Sequence, residues 1–286
     1  MDLENQFVRE GRATYNVAMQ RHPVSHKIRI FVINRKKDAD RRADMSERLN
    51  ALGLAHEFFE AVDGHNMDAL EAPEYDGPKR RLYFGRDLSV GEIGCLLSHR
   101  AVYKKIVDEQ IPLTLILEDD THFKPEFPDV LQAIIETAGK WDMVRFLDRQ
   151  KIFKAPHRIL KQLNEKYALA RVRGVPGGAY AYLLTSHAAD TLLSKTQKNS
   201  VQIDIVHGRH WETGLNALVT KPSPVSPDFD IPSTIGDSRF DKEITVTGLT
   251  RLIFPIFRFC FKINSSLRSR AYFAKMQQAD RQDWKD

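Results

Sequence analysis

Three acidic residues follow directly on a short, unbroken apolar run at residues 113–117. The segment reads LTLILEDD and places Glu118, Asp119 and Asp120 next to one another. Carboxylates this close raise one another's pKa unless a cation neutralises them. An all-oxygen set suits Mg²⁺ or Mn²⁺, which can bind substrate phosphates at the same time. The segment therefore predicts a divalent metal site, and solvated acids leading into a loop are the structural alternative.

A buried strand would hold these acids at one edge of a sheet. The run over 113–117 follows Pro112 and has no polar break other than Thr114, as in a central parallel strand buried on both faces. Side chains alternate along a strand, so Glu118 and Asp120 are expected on one side and Asp119 on the other. Ligands of open α/β sheets bind outside the carboxyl ends of the strands.

A predicted βαβ unit brings more polar residues to the same edge. A strand over residues 28–33 ends at Asn34, and a second strand over residues 56–62 ends at Asp63. Parallel strands share their carboxyl edge, so both side chains are expected beside the acids. Arg41 and Arg42, near the start of the intervening helix, are suited to a diphosphate, although a solvated helix face is the commoner role.

The next candidates lie on a helix that begins at Ser89. Ser89 and Glu92 form a capping box, and apolar residues at helical spacing follow them. Ser98 and His99 lie in the middle of this helix, where packing explains them less well. A hydrogen-bonded core histidine is the alternative for His99.

Paired glycines precede a predicted strand over residues 179–184. Gly177 and Gly178 permit a close approach of the backbone to a ligand, and they are equally compatible with a tight turn. Gly178 is therefore a candidate binding residue.

A second polar centre is predicted around Asp204. This acid interrupts the apolar segment VQIDIV, interpreted as a short strand over 201–206. Burying an acid is costly without a partner or a task. Glu212 lies just beyond it, and Asp237 follows a proline-rich stretch predicted to lack regular structure.

Composition sets the protein class. The 286 residues allow one large α/β domain or two small ones. A hydrophobic content of 42% with 28% charged residues is ordinary for a globular protein. Cys95 and Cys260 match no metal spacing, which favours a reducing compartment. Residues 1–27 lack the apolar core of a signal peptide, so we expect a cytoplasmic protein.

The end of the chain is basic and amphipathic. Residues 249–279 contain no acid and carry Arg251, Arg258, Lys262, Arg268, Arg270 and Lys275. Such a segment can meet the phosphates of a nucleic acid or of a membrane. Interleaved phenylalanine, leucine and isoleucine favour an anionic membrane surface over nucleic acid, and the apolar run is too short to span a bilayer. A terminal helix packed on the domain is the alternative.

In this order, the motifs resemble glycosyltransferase family 25, which includes bacterial lipooligosaccharide galactosyltransferases and collagen galactosyltransferases. They span about residues 28–240 and read FVINRKKDADRR, AVDG, SVGEIGCLLSHR, LILEDD, WDMVRFL, GGAYAYLLTSHAA and IGDS. GEIGCLLSH followed at this spacing by LEDD is the specific part.

The resemblance implies an α/β fold of the GT-A type, a single Rossmann-like domain with a mostly parallel central sheet. This domain is expected over 28–240, between a polar extension over 1–27 and a basic amphipathic tail over 241–286. The family also implies a UDP-hexose donor, UDP-galactose above all, with Mn²⁺ or Mg²⁺ and inversion at the anomeric carbon.

The resemblance also suggests roles for the residues above. Asp120 and Glu118 would hold the metal, and inversion needs one base, for which Asp204 is the first choice before Glu212 and Asp237. The expected donor-binding residues are Asn34, Arg41, Asp63, Glu92, Ser98, His99, Glu118, Asp119 and Gly178.

The expected reaction extends a lipooligosaccharide or lipopolysaccharide core on a lipid-linked acceptor, at the cytoplasmic face of the bacterial inner membrane. Two other classes remain open. One is a Mg²⁺-dependent phosphohydrolase or nucleotidyltransferase that uses the same acids. The other is a catalytically silent module that binds membranes through residues 249–279.

Overall fold

An eight-stranded sheet runs through the centre of the computed structural model, which describes residues 22–148, 154–174, 176–228 and 243–285. Within these residues the strand order is β2-β1-β3-β8-β5-β9-β7-β6. The strands are β1 Arg29–Asn34, β2 Glu57–Glu60, β3 Leu113–Glu118, β4 Thr121–Phe123, β5 Met143–Arg145, β6 His157–Gln162, β7 Ala168–Val172, β8 Ala181–Thr185, β9 Ala217–Lys221 and β10 Val225–Pro227. β4 and β10 form a separate two-stranded sheet.

Most strands of the central sheet point the same way. The pairs β1–β2, β1–β3 and β5–β9 are parallel, whereas β8 is antiparallel to β3 and β5, and β7 is antiparallel to β9 and β6. Only β8 and β7 are therefore reversed among these eight described strands. The predicted α/β class with a mostly parallel central sheet is confirmed.

Helices cover both faces of this sheet. They are α1 Ala39–Ala51, α2 Gly77–Phe84, α3 Val90–Asp108, α4 Phe127–Ile135, α5 Ser186–Lys195, α6 Ile203–Gly208, α7 His210–Thr213 and α8 Gly248–Asp283. Alternation along β1 separates the two faces. Ile30 and Val32 join the core that contains Met45 of α1, and Phe31 joins the core that contains Leu96 of α3. Short 3₁₀ turns form at Pro23–His26, Gly64–Asn66 and Ala69–Glu71.

Two local predictions are wrong. Residues 201–206 were predicted as a strand, but Asp204 lies in the first turn of helix α6. The apolar run is too short for its period to separate a strand from a helix, and a carboxylate is favourable at a helix N-terminus. The proline-rich stretch was predicted to lack regular structure, but β10 forms within it and pairs with β4 at an edge, where proline is tolerated.

The acid-free tail forms most of one 36-residue helix, α8. Its inner face packs on the domain, with Phe261 against the rings of Tyr83 and Phe84 at centroid distances of 5.3 and 5.2 Å. Farther along, Tyr272 donates a hydrogen bond to the Leu215 carbonyl at 2.8 Å. The alternative of a packed terminal helix therefore describes this face. Among the described residues, no helix combines the length and apolarity needed to cross a bilayer.

Candidate functional site

A pocket opens where the carboxyl ends of β1, β2 and β3 meet. It encloses about 730 Å³, its open mouth included. Its lining includes seven of the predicted residues: Asn34, Asp63, Ser98, His99, Glu118, Asp119 and Asp120. The topological argument from shared carboxyl edges therefore brings these side chains to one place.

Two glycines press the loop after β2 against the start of α3. A Cβ added to Gly64 would lie 2.0 Å from the Val90 carbonyl oxygen, and one added to Gly94 would lie 2.8 Å from the Val62 carbonyl oxygen. Ser98 completes the junction, because its hydroxyl accepts from the Val62 N–H at 2.8 Å and donates to the Gly94 carbonyl at 2.7 Å. Any larger residue at either glycine would push Asp63 and α3 apart.

Asp119 is the acid with fixed partners. It accepts a hydrogen bond from Asn34 Nδ2 at 2.7 Å and pairs with Arg41 Nη1 at 3.0 Å. Burial nevertheless raises the pKa of Asp119, against the opposing effects of Asn34 and Arg41. Asn34 Oδ1 is buried without a hydrogen-bond partner in the described part of the chain. Arg41 therefore contributes to the site through Asp119.

Asp120 is the acid that forms no ion pair with any described residue. Its Oδ1 is buried, and no described residue donates a hydrogen bond to it. Burial, followed by the charges of Glu118 and Asp119, raises the pKa of Asp120 to about 7. A divalent cation would remove this penalty, and carboxylate oxygens are the ligands that Mg²⁺ and Mn²⁺ prefer. The residues present therefore fit the predicted ion.

Glu118 faces α3. Its Oε1 lies 3.3 Å from His99 Nε2, and His99 Nδ1 lies 2.6 Å from the Tyr182 hydroxyl. The Tyr182 hydroxyl is hydrogen-bonded to the Tyr103 hydroxyl at 2.9 Å, and the Tyr103 hydroxyl is hydrogen-bonded to His207 Nε2 at 2.7 Å. His99 is buried, as the core-histidine alternative expected, yet its ring also forms part of the pocket wall.

The mouth of the pocket is basic on the side of Asp63. This carboxylate accepts hydrogen bonds from Lys37 Nζ and from the His65 N–H, and Arg35 Nη1 lies 3.9 Å away. The hydrogen bond from Lys37 lowers the pKa of Asp63 below its usual range. Asp63 therefore stays ionised and holds these basic side chains at the entrance.

Asp204 lies beside the pocket and does not line it. Its Oδ2 accepts the Gly178 N–H at 3.0 Å, while its buried Oδ1 has no hydrogen-bond partner among the described residues. Gly178 has φ +106°, and a Cβ there would lie 3.1 Å from the Tyr180 ring. Gly178 thus acts on Asp204 through its backbone.

Glu212 and Glu92 have structural partners instead. Arg209 donates to both oxygens of Glu212, at 2.7 and 2.6 Å. Burial raises the pKa of Glu212, but these bonds outweigh it and the net shift is downward. Glu92 accepts the Ser89 N–H at 2.8 Å and Gln202 Nε2 at 2.9 Å. Neither lines the pocket.

The third candidate base, Asp237, lies outside the described residues.

Sequence reasoning missed two residues near the site. Cys95 lines the pocket one helical turn before His99, a spacing of four residues that the sequence already shows. Arg145 is 1% exposed and donates to the Pro176 and Gly178 carbonyls at 2.9 and 2.6 Å. An arginine inside the short strand WDMVRFL is the signal that could have identified it.

Known proteins match the part of the chain that forms this site. The sequence model of "Glycosyltransferase family 25 (LPS biosynthesis protein)" matches residues 27–207. A "Glycosyltransferase 25 family member" of Aedes aegypti is 32% identical over 187 residues, covering 60% of this chain and 28% of that protein.

Two mammalian relatives carry different names. "Procollagen galactosyltransferase 2" of Mus musculus is 34% identical over 141 residues, 45% of this chain and 22% of that protein. "Probable inactive glycosyltransferase 25 family member 3" of Rattus norvegicus is 26% identical over 232 residues, 69% of this chain and 38% of that protein. The chain thus spans well under half the length of these curated relatives.

Proposed function

Because the chain belongs to glycosyltransferase family 25, we propose that it transfers a hexose from a nucleotide-sugar donor to an acceptor hydroxyl, with inversion. The observation that carries the proposal is the buried, unpartnered oxygen of Asp120 among the described residues. This oxygen lies in a pocket whose other carboxylates are Glu118, Asp119, Asp38 and Asp63. Such an arrangement suits a cation and a diphosphate together.

Asp120 and Glu118 would hold the divalent ion, Mn²⁺ or Mg²⁺. When bound, that ion would neutralise the negative charge that develops on the leaving diphosphate. The chain's own contribution is orientation, because Asn34 and Arg41 fix Asp119. Arg35 and Lys37 at the mouth are each paired with an acid, and their remaining N–H groups can contact the phosphates of the donor.

Asp204 is the proposed general base. Inversion requires one base on the face of the sugar opposite the leaving group. Gly178 holds one oxygen of Asp204, and the other is buried without a hydrogen-bond partner among the described residues. This second oxygen would accept the proton once the side chain turns toward the acceptor hydroxyl. Glu212 is less suited, because Arg209 occupies both of its oxygens.

UDP-galactose is the proposed donor, and a lipooligosaccharide or lipopolysaccharide core is the proposed acceptor. The name of the mouse relative, a procollagen galactosyltransferase, supports galactose. The family description, "LPS biosynthesis protein", supports the acceptor, although the relatives described above are animal proteins.

The direct test is donor turnover. The full chain is incubated with Mn²⁺ and a panel of nucleotide sugars, with and without core oligosaccharide or collagen peptide acceptors, and free nucleotide is measured. We expect the fastest release with UDP-galactose and core oligosaccharide. Faster release with collagen peptide would contradict the acceptor, release of inorganic phosphate alone would favour a phosphohydrolase, and no nucleotide release with any donor would favour a silent module.

An exposed apolar stripe on α8 supports action at a membrane surface. Its members are Leu249, Leu252, Ile256, Phe259, Ile263 and Leu267, which are 71, 74, 64, 63, 44 and 59% exposed. At about 100° per residue they fall within an arc of roughly 80°. The face lies opposite Phe261 and the other side chains packed on the domain.

The charges around this stripe favour anionic lipid over a second copy of the chain. Arg251, Lys262 and Arg270 are exposed on the same helix, and residues 249–279 contain no acid. Two copies meeting through this face would bring like charges together. If the helix lies in the plane of an anionic lipid interface, its apolar stripe is buried among the acyl chains and its basic residues contact the headgroups. We place the protein at the inner face of the bacterial inner membrane as part of this proposal.

Vesicle flotation tests the stripe. The chain should float with vesicles that contain phosphatidylglycerol and should stay unbound with neutral phosphatidylcholine vesicles. Leu252→Gln combined with Ile256→Gln should weaken binding by about tenfold or more for each side chain. Ser266→Gln with Gln278→Asn is the matched control at exposed polar positions of the helix. Equal binding by the apolar variant, or a dimer that forms without lipid, would contradict the membrane assignment.

A further inference from the structure

Three different metal-binding side chains converge on one wall of the pocket. The ligand atoms of Cys95, His99 and Glu118 lie within 4.8 Å of one another. Cys95 and His99 are one turn apart on α3, so they present to the same side. Glu118 comes from the end of β3. Two secondary-structure elements of the core therefore hold this cluster.

The geometry is close to that of a zinc site. Bond lengths of about 2.3 Å to sulfur and about 2.0 Å to nitrogen and oxygen place tetrahedral ligands roughly 3.3–3.6 Å apart. His99 Nε2 and Glu118 Oε1 are already 3.3 Å apart. The Cys95 sulfur lies within 4.8 Å of the other two ligand atoms, so closing the site requires it to approach them by at most roughly 1.5 Å. All three residues line the pocket, so a further coordination position would face its interior.

The surroundings of His99 also suit a ligand. Its second nitrogen, Nδ1, lies 2.6 Å from the Tyr182 hydroxyl, and Tyr182 is held in turn by Tyr103. Metal-bound histidines usually have their other nitrogen hydrogen-bonded in this way, which fixes the ring and its tautomer.

We propose that Cys95, His99 and Glu118 form a site for Zn²⁺ or a similar borderline-soft ion, distinct from the carboxylate site at Asp120. Thiolate and imidazole select such ions over Mg²⁺ and Mn²⁺. When the ion binds, the Cys95 thiol loses its proton to solvent as the sulfur–metal bond forms. The two sites share Glu118, so occupancy by Zn²⁺ withdraws a ligand from the other ion and inhibits transfer.

The site itself can be tested without turnover. Co²⁺ is titrated into the full chain, and thiolate-to-cobalt charge-transfer absorption is recorded in the near ultraviolet. We expect the band in the wild type and in Cys260→Ser, which removes the exposed cysteine and is the matched control. The band should vanish in Cys95→Ser and in Cys95→Ala, and Zn²⁺ should displace Co²⁺ whereas Mn²⁺ should not.

Several results would overturn the site. They are the absence of a band in the wild type, its survival in folded Cys95→Ser or Cys95→Ala, and its loss in Cys260→Ser. Circular dichroism melting identifies a variant that has not folded, and having two substitutions at Cys95 guards against that outcome.

The inhibitory consequence rests on the proposed function and needs its own measurement. Zn²⁺ should inhibit nucleotide release by the wild type, and the inhibition constant should rise about tenfold or more in Cys95→Ser, relative to that variant's own uninhibited rate. Equal inhibition of both proteins would refute the shared-ligand explanation. If no donor turns over, the proposed function fails while the cobalt band still decides the site.

Discussion

Asp280 is a buried carboxylate and Asp120 is a half-buried one with one buried oxygen, and their surroundings are opposite. Asp280, near the end of α8, accepts Arg171 Nη2 at 2.6 Å and Arg158 Nη2 at 2.6 Å. Asp120 faces two other acids and has a buried oxygen without a partner among the described residues. Asp280 thus joins α8 to the sheet through two arginines. The ionised form of Asp120, in contrast, is disfavoured by burial and by the neighbouring acids.

This difference separates structural charges from candidate functional ones. A buried charge that is fully paired contributes to holding the fold, and breaking the pair leaves the other charge exposed to a low-dielectric interior. A buried charge surrounded by like charges is unfavourable unless a ligand arrives, so it marks a site. Four substitutions test whether the division is correct.

Asp280→Ala should have the largest effect, on stability. It leaves Arg171, which is 1% exposed, without its carboxylate. We expect the free energy of unfolding to fall by about 3–5 kcal/mol, measured by urea denaturation followed by circular dichroism. Asp283→Ala, at an exposed position of the same helix, is the control and should have little effect. An unchanged urea midpoint for Asp280→Ala would show that the paired carboxylate of Asp280 does not stabilise the fold.

Asp204→Asn should act on rate instead. Asparagine retains an oxygen for the Gly178 N–H but cannot take a proton, so kcat should fall by about 10²- to 10⁴-fold. Donor affinity, measured by calorimetry, should not change. A rate within a factor of about two of the wild type would assign the base elsewhere, with Asp237 as the next candidate.

Asp120→Asn should lower transfer by about 10²- to 10³-fold. Metal-dependent donor binding should weaken with it, unlike in Asp204→Asn. The melting temperature should stay the same or rise, because a neutral side chain relieves the crowding with Glu118 and Asp119. A large fall in melting temperature would place Asp120 in the same class as Asp280.

Glu212→Gln should have the smallest effect. Its side chain is 43% exposed, and glutamine keeps one oxygen that can accept a hydrogen bond from Arg209, whose side chain is only 6% exposed. We expect transfer rates equal to those of the wild type and a small shift of the urea midpoint. A loss of transfer comparable to that of Asp204→Asn would show that a paired carboxylate can serve as the base.

Local sequence patterns predicted the residues that meet in the pocket at the carboxyl edge of the sheet. The apolar runs of β1 and β3 are long enough to identify strands, and parallel pairing then places Asn34 and Asp63 beside Glu118. The same reasoning could not predict that Gly64 must lack a side chain. That requirement comes from its close contact with the Val90 carbonyl of α3, which is a tertiary contact between a loop and a helix.

Long-range partners were beyond sequence reasoning. Arg171 and Asp280 are 109 residues apart. The sequence around either residue does not indicate that the two form an ion pair. Asp204 was recognised as unusual, but its short apolar run did not distinguish a strand from helix α6. The role of Arg145 was missed because the carbonyls that it binds, those of Pro176 and Gly178, are 31 and 33 residues away in the sequence.

The position of Asp280 affects how the protein can be shortened for biochemical work. Helix α8 has 36 residues, a length of about 54 Å, and its exposed apolar part lies toward the beginning. Ending the chain before Asp280 to improve solubility would keep the exposed apolar stripe and remove the carboxylate that pairs with the buried guanidinium of Arg171. We expect such a truncated protein to aggregate, whereas polar substitutions at the stripe should give material that is easier to handle.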